Sequence, residues 1–374
     1  MVDVAEIAAA PKGRSLWATA WLRLKRNKAA MASLFILAIY VLLGIFGPML
    51  WLHDYAAVYP AYVRAPASLE PYPRADAIIP GAESALARAR VDVDDVAIEG
   101  GTVRIAVSSS REIDPRTTRY LDRSDLFSNA RIVETGPEGK TAVLEADVAR
   151  LTFIFGTDAN GRDLAARILI SIRISLMIGA LAAGVALVIG VIYGATAGFL
   201  GGRIDNVMMR IVDVIYSLPF IFFVILLVVF FGRNIVLMFI AVGAVEWLDM
   251  ARIVRGQTLS LRRREFVFAA EALGVGQWAI VRRHIIPNVL GPVIVFMTLL
   301  IPKVILLESF LSFLGLGVQE PLTSLWALIS EGAGTIAYGT TWQLGFPLLF
   351  FCLTLFGLFF IGDGLRDALD PKDR

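Results

Sequence analysis

Side chains able to do chemistry are sparse in this chain, and their spacing narrows what they can do. The only two histidines, His53 and His284, lie far apart, and Cys352 is the single cysteine. An intramolecular disulfide is therefore impossible, and a histidine-based metal site or a Ser-His-Asp nucleophile is not expected. Gly139-Lys140-Thr141 echoes the end of a phosphate-binding loop, but the first glycine of that motif would fall on Glu134. A hairpin turn is the expectation there, and ATP hydrolysis by this chain is not. What remains is a set of charges inside apolar runs: Lys303 and Glu308, Asp213 beside Tyr216 and Pro219, and Glu246 with Asp249. Ionisable groups in hydrocarbon are costly, so these line a pathway or pair: Lys303 and Glu308, five apart, are not ideal helix neighbours, yet their long side chains can meet each other or find separate partners across the subunit interface. Pro219 frees a backbone carbonyl, as helices that hinge or line a cavity often do.

The elements that must position these residues are apolar helices. Of 374 residues 57% are apolar and 18% charged, with mean hydropathy +0.69. Soluble domains run nearer 45–50% apolar, so the excess hydrocarbon faces lipid. That composition excludes a disordered or nucleic-acid-binding chain, and a net charge of +2 names no partner. A run of about 20 apolar residues crosses the bilayer as a helix. Six such runs are expected, at 29–52, 174–199, 215–231, 235–250, 289–314 and 344–361. The first is too long for a signal peptide, and bulky Leu50, Trp51 and Leu52 replace a cleavage site.

Arginine and lysine concentrate before the first run and between the fourth and fifth, while 315–343 has neither. The positive-inside rule then places the N-terminus (1–28), the 251–288 loop and the tail (363–374) in the cytoplasm. Segment 53–154 falls outside. Its first part, with Pro60, Pro66, Pro71, Pro73 and Pro80, is expected to be an irregular connector. Alternation over 91–109 and 130–148, broken at Glu99-Gly100-Gly101 and at Gly136-Pro137-Glu138-Gly139, predicts two β-hairpins. The fold class expected is an all-α polytopic membrane protein with a small strand-rich insertion.

The basic segment 251–292 is the most informative. Phe266, Phe268, Ala269, Ala270, Leu273 and Trp278 stand between arginine clusters, followed by Gly274, Gly276 and an amphipathic run toward Pro287. Such a stretch suits the membrane interface. The order of small residues, glycines and a closing proline also suits a short peg that fits a groove on a soluble partner.

Here the sequence resembles the inner-membrane permease subunits of bacterial ATP-binding-cassette importers, in the peptide branch, and among them the C-type oligopeptide permeases. Residues 268–287 are similar to that family's cytoplasmic coupling loop. Ala269 and Ala270 match its two alanines, Gly274 its glycine and Ile286-Pro287 its closing pair, while Phe268 replaces a glutamate and His284 an isoleucine. Gly156-Thr157-Asp158 with Gly161-Arg162-Asp163, the run 308–317 with Gln319-Glu320-Pro321, and the tail 362–371 resemble three further stretches of the same branch. The resemblance is strong over 155–374, weak over 16–52, and leaves most of the outer segment unexplained.

The resemblance implies a non-catalytic permease domain at 155–362 that pairs with a homologous second permease. Two ATPase subunits would carry ATP and Mg beneath it, with none bound by this chain, and an extracytoplasmic binding protein would deliver peptide. Phe266, Phe268, Ala269, Ala270, Leu273, Gly274, Gln277, His284 and Pro287 would contact the ATPase. Asp213, Pro219, Lys303 and Glu308 are candidates for the translocation path or an interface. Asp158, Arg162 and Asp163 form either a capping and ion-pair cluster or a contact at the outer mouth. An ion-coupled carrier working without an ATPase is the alternative, with the intramembrane charges as its relay.

Overall fold

The computed structural model describes residues 16–232 and 235–369. The chain divides into two compact units, one of residues 47–170 with 328–347 and one of residues 1–46, 171–327 and 348–374.

Among the described residues four helices are long and apolar enough to cross a membrane. They are α2 (Lys28–Leu50), α5 (Leu164–Leu200), the stretch Gln277–Phe313 and the helix Thr341–Leu369. A short helix, α1 (Leu16–Arg26), precedes α2. Helices α6 (Gly202–Ser217) and α7 (Phe220–Phe231) form a bent pair with a 75° angle, which counts as a fifth span if taken together. The expected third run, 215–231, is thus broken near its start, at Leu218-Pro219. Leu218 is extended (φ −76°, ψ 128°) because the ring of Pro219 crowds an α-helical residue before it. Helix α8 (Ile235–Leu261) follows, carrying Glu246, Asp249 and Arg252 midway.

In the unit containing 171–327, α5 and α8 approach closely along a glycine row spaced by four. A Cβ on Gly190 would lie 2.6 Å from the Met250 side chain, and one on Gly198 would lie 2.8 Å from the Arg255 carbonyl oxygen. On Gly194 it would overlap the Ala251 carbonyl. Small residues let backbones meet where no hydrophobic force between helices is available.

The unit containing 47–170 holds the insertion. Strands β1 (Asp92–Glu99), β2 (Thr102–Ser108), β3 (Phe127–Thr135) and β4 (Thr141–Val148) form one antiparallel sheet in the order β1-β2-β4-β3. Both expected hairpins are present, turned at Gly100 (φ +64°) and at Pro137–Gly139, so Gly139-Lys140-Thr141 ends a turn and enters β4. The expected irregular connector is corrected in part: α3 (Ala75–Ala87) is helical despite Pro80. Ile78, Ala82, Ala85 and Leu86 recur at helical spacing and bury against Val103, Ile105 and Leu144 of the sheet. Their burial outweighs the one hydrogen bond that proline removes. Helix α4 (Thr118–Asp122) adds Leu121 to that core. Tyr72 and Leu151 exchange backbone hydrogen bonds at 2.7 and 2.9 Å, closing the module at its base.

Candidate functional site

The coupling-like segment folds as a helix, a left-handed turn and a second helix. Helix α9 (Glu265–Ala272) ends in a Schellman motif: the Val275 N–H reaches the Ala270 carbonyl at 3.1 Å and the Gly274 N–H reaches the Glu271 carbonyl at 3.0 Å. Gly274 adopts φ +73° there, which is why the motif calls for glycine. Helix α10 (Gln277–Ile280) starts after Gly276 and passes through a π-turn, Val281–Ile285, into α11 (Ile286–Phe313).

The expectation that Pro287 ends this second element is overturned. The π-turn closes with the Ile286 N–H on the Val281 carbonyl, and the helix continues through Pro287, which follows directly on that turn. The second amphipathic run and the span that follows are therefore one continuous helical rod of 37 residues.

Burial sorts the segment into an anchor and a display face. Val267, Ala270, Ile280, Val281 and Ile285 are buried. Phe266, Phe268, Ala269, Leu273, Gly274, Gln277 and Trp278 are exposed, with Phe268 57% and Leu273 83% accessible. Of the two expected alanines, Ala269 faces out and Ala270 in. The half-buried His284 ring sits 6.4 Å from that of Phe266, and Pro287 is exposed. Together the exposed residues make an apolar ridge held by the buried ones.

The charges in the apolar helices resolve into separate pairs. Lys303 on α11 bridges Glu246 and Asp249 on α8, each at 2.9 Å, and does not meet Glu308. Glu308 is buried and its Oε1 accepts from Ser312 Oγ at 2.5 Å. Asp213 accepts from Arg252 at 2.9 Å on an exposed surface, and Arg252 also lies over the Tyr216 ring. Sequence reasoning missed Arg255, which holds buried Asp205 through two hydrogen bonds of 2.6 and 2.7 Å. Its position in an arginine-rich helix gave no sign of a partner fifty residues upstream.

At the start of α5, Asp158, Arg162 and Asp163 are brought together and buried. Asp158 Oδ1 accepts from the N–H groups of Asn160 and Arg162, both at 2.8 Å. Its Oδ2 accepts from Arg162 Nε at 2.7 Å and from Arg167 Nη1 at 2.6 Å. Arg167, a further residue not singled out from sequence, is fully buried and also engages Glu331 at 2.6 and 3.1 Å. Asp163 caps α5 through the Ala165 N–H, and its second oxygen takes the Trp51 indole at 2.8 Å. His53 Nδ1 lies 2.7 Å from the same oxygen, a contact that places the proton on Nδ1. Every carboxylate oxygen here is occupied within the chain, the arrangement of a structural clasp. Gly315 ends α11 in another Schellman motif (φ +73°), as its place after an apolar run predicts.

The family described as binding-protein-dependent transport system inner membrane component matches residues 186–374, just over half of the chain. The chain belongs to this family. Residues 15–71 match the N-terminal TM domain of oligopeptide transport permease C. The chain is 59% identical over 220 residues to the oligopeptide transport system permease protein OppC of Haemophilus influenzae, covering 59% of this chain and 70% of that one. OppC of Escherichia coli K12 is 58% identical over 220 residues, with 59% and 72% covered. The dipeptide transport system permease protein DppC of Bacillus subtilis is 47% identical over 220 residues, with 59% and 69% covered.

Proposed function

We propose that this chain is the permease subunit of an ATP-driven, binding-protein-dependent importer of oligopeptides. The single observation that carries the coupling role is the ridge of α9: Phe268, Ala269 and Leu273 stand exposed on a turn whose backbone is fixed by Val267, Ala270 and Gly274. The ridge docks on an ATPase subunit by apolar fit, with Phe266, Gln277, His284 and Pro287 flanking it. Because α10 runs without a break into α11, motion imposed on the ridge passes along a rigid rod into the bilayer, and the attached spans rock between inward and outward access. This continuity supports the lever better than a proline-terminated peg would.

In this reading the chain crosses the bacterial inner membrane six times, the bent pair α6–α7 serving as one span and α8 as the next. Both termini and 251–288 are cytoplasmic, and 53–154 lies outside. A homologous second permease completes the path, two ATPase subunits supply ATP and Mg, and an external binding protein hands over the peptide. Lys303, Glu246 and Asp249 then act as a brace between α8 and α11, while Asp213, Pro219 and Glu308 are candidates for the path or the interface with the second permease. The homology to peptide permeases supports peptide as the cargo.

Affinity purification of the tagged chain from mild detergent, followed by mass spectrometry, tests the assembly. Recovery of a second multispanning permease and ATPase subunits is expected. A chain that reproducibly purifies alone, with uptake that survives ATP depletion while the ion gradient is held, would favour an ion-coupled carrier.

A further inference from the structure

The unit containing the strand-rich insertion holds a cleft that the importer reading does not use. Its volume is about 840 Å³, within the range of small-molecule sites. One wall is the connector around Tyr62 and Arg64, another is α3 with Arg88, and a third is the segment after α4 with Arg123 and Asp125. Three arginines and one aspartate thus stand in its lining. Among the described residues none of the three arginines has an ion-pair partner, and Asp125 is occupied in part by the Ala61 N–H at 3.2 Å.

Two buried polar atoms of this wall are without partners. The Tyr62 side chain is 95% buried by its neighbours, yet its hydroxyl makes no hydrogen bond. Arg64 Nε is also buried and unsatisfied, while its guanidinium is stacked 4.1 Å over the Tyr338 ring. A protein rarely leaves such groups unmet, because each forfeits the hydrogen bond that water would have given. Burial and the charge of Asp125 push the Tyr62 phenol far above its ordinary pKa, so the hydroxyl remains a donor. The other walls, Pro66, Pro73, Pro80 and Leu126, are apolar.

We propose that this cleft binds a short peptide by its free carboxyl terminus, with Arg88 and Arg123 taking the carboxylate and the Tyr62 hydroxyl donating to it. The excess of guanidinium over carboxylate selects an anionic group, planar guanidinium matches carboxylate, and Asp125 offers a counter-charge to an amino terminus. The choice of a peptide over another carboxylate rests on the importer reading. The site is a place where cargo is held by the insertion, apart from any path through the spans.

The test is calorimetric titration of the purified full-length chain in detergent with trialanine, trialanine amide and an anionic phosphatidylglycerol micelle as separate probes. Trialanine is expected to bind saturably, and its amide at least about tenfold more weakly, since one charged hydrogen-bond pair is lost. The double variant Arg88→Gln, Arg123→Gln should weaken trialanine by a similar factor and Tyr62→Phe by a smaller one, while Arg111→Gln leaves affinity unchanged. Both arginines of the double variant are exposed and unpaired, so folding is not at risk; a size-exclusion profile matching the parent chain checks this. Equal binding of trialanine and its amide, parental affinity in the double variant, or no saturable trialanine binding would overturn the proposal. So would binding of the lipid micelle that depends on Arg88 and Arg123 while trialanine fails. Because no ATPase or uptake is read, failure of the importer reading leaves this result standing, and the reverse also holds.

Discussion

Gly274 separates the backbone requirement of the coupling turn from its docking role. At φ +73° an ordinary L-residue costs about 1–2 kcal/mol. Nothing lies within 4 Å of the position a Cβ would take, so no steric penalty adds to that figure. If the whole cost falls on the docked geometry, Gly274→Ala weakens ATPase association by roughly 5- to 30-fold. Gly274→Asn should lose less, because asparagine tolerates the left-handed region. Gly274→Glu carries the backbone cost of alanine and in addition projects a charge into the space a partner would fill, so it should abolish both co-purification and uptake. Membrane insertion should be equal in all three, since the turn contributes no buried side chain. The assay is ATPase recovered per tagged permease, with uptake of a labelled tripeptide and immunoblotting of the membrane fraction alongside. If glutamate behaves like alanine, the open space at 274 is solvent and the docking role is wrong. If asparagine and alanine are as damaging as glutamate, backbone geometry alone governs the segment.

Three further outcomes are expected. Asp158→Asn leaves Arg162 and Arg167 buried beside a neutral partner, and should cost about 3–5 kcal/mol, read as a lower thermal midpoint of the detergent-solubilised chain; an unchanged midpoint would sink the clasp. Arg131 and Arg104 hold the Glu145 carboxyl below its ordinary range, so its contribution to the sheet is present above about pH 4.3 and lost as pH falls through the lower folded value. Hydrogen exchange of β4 amides, corrected for intrinsic rates, should show protection falling with acid in the parent and a flatter profile in Glu145→Gln. Excising residues 73–150 and joining Tyr72 to Leu151, which already exchange backbone hydrogen bonds, should leave ATPase association intact. Loss of that association would contradict the placement of the insertion on the opposite face of the membrane.

The same module shows how far local pattern reaches. Strand alternation and glycine turns, written within ten residues of one another, predict structure over 91–109 and 130–148 alone. Helix α3 belongs to it as well, and its proline-bearing sequence argues for a loop until the sheet that covers Ile78 and Leu86 is in place. Likewise Pro287 reads as a stop, and only the π-turn beside it shows the helix continuing.

Sequence by itself determined what depends on neighbours in the chain: the apolar runs, the hairpin turns, the glycine at 274 and the order of small and aromatic residues that marks the coupling segment. Each of these is set by backbone conformation or by transfer of a continuous segment into hydrocarbon, and both are local properties. Tertiary structure decided the partners. Lys303 turned from Glu308, five residues away, to Glu246, fifty-seven away, because side chains five apart on a helix do not share a face. Arg167 found Glu331, 164 residues downstream. A buried charge must be met by whatever the fold brings to it, and no periodicity in the chain records which residue that will be.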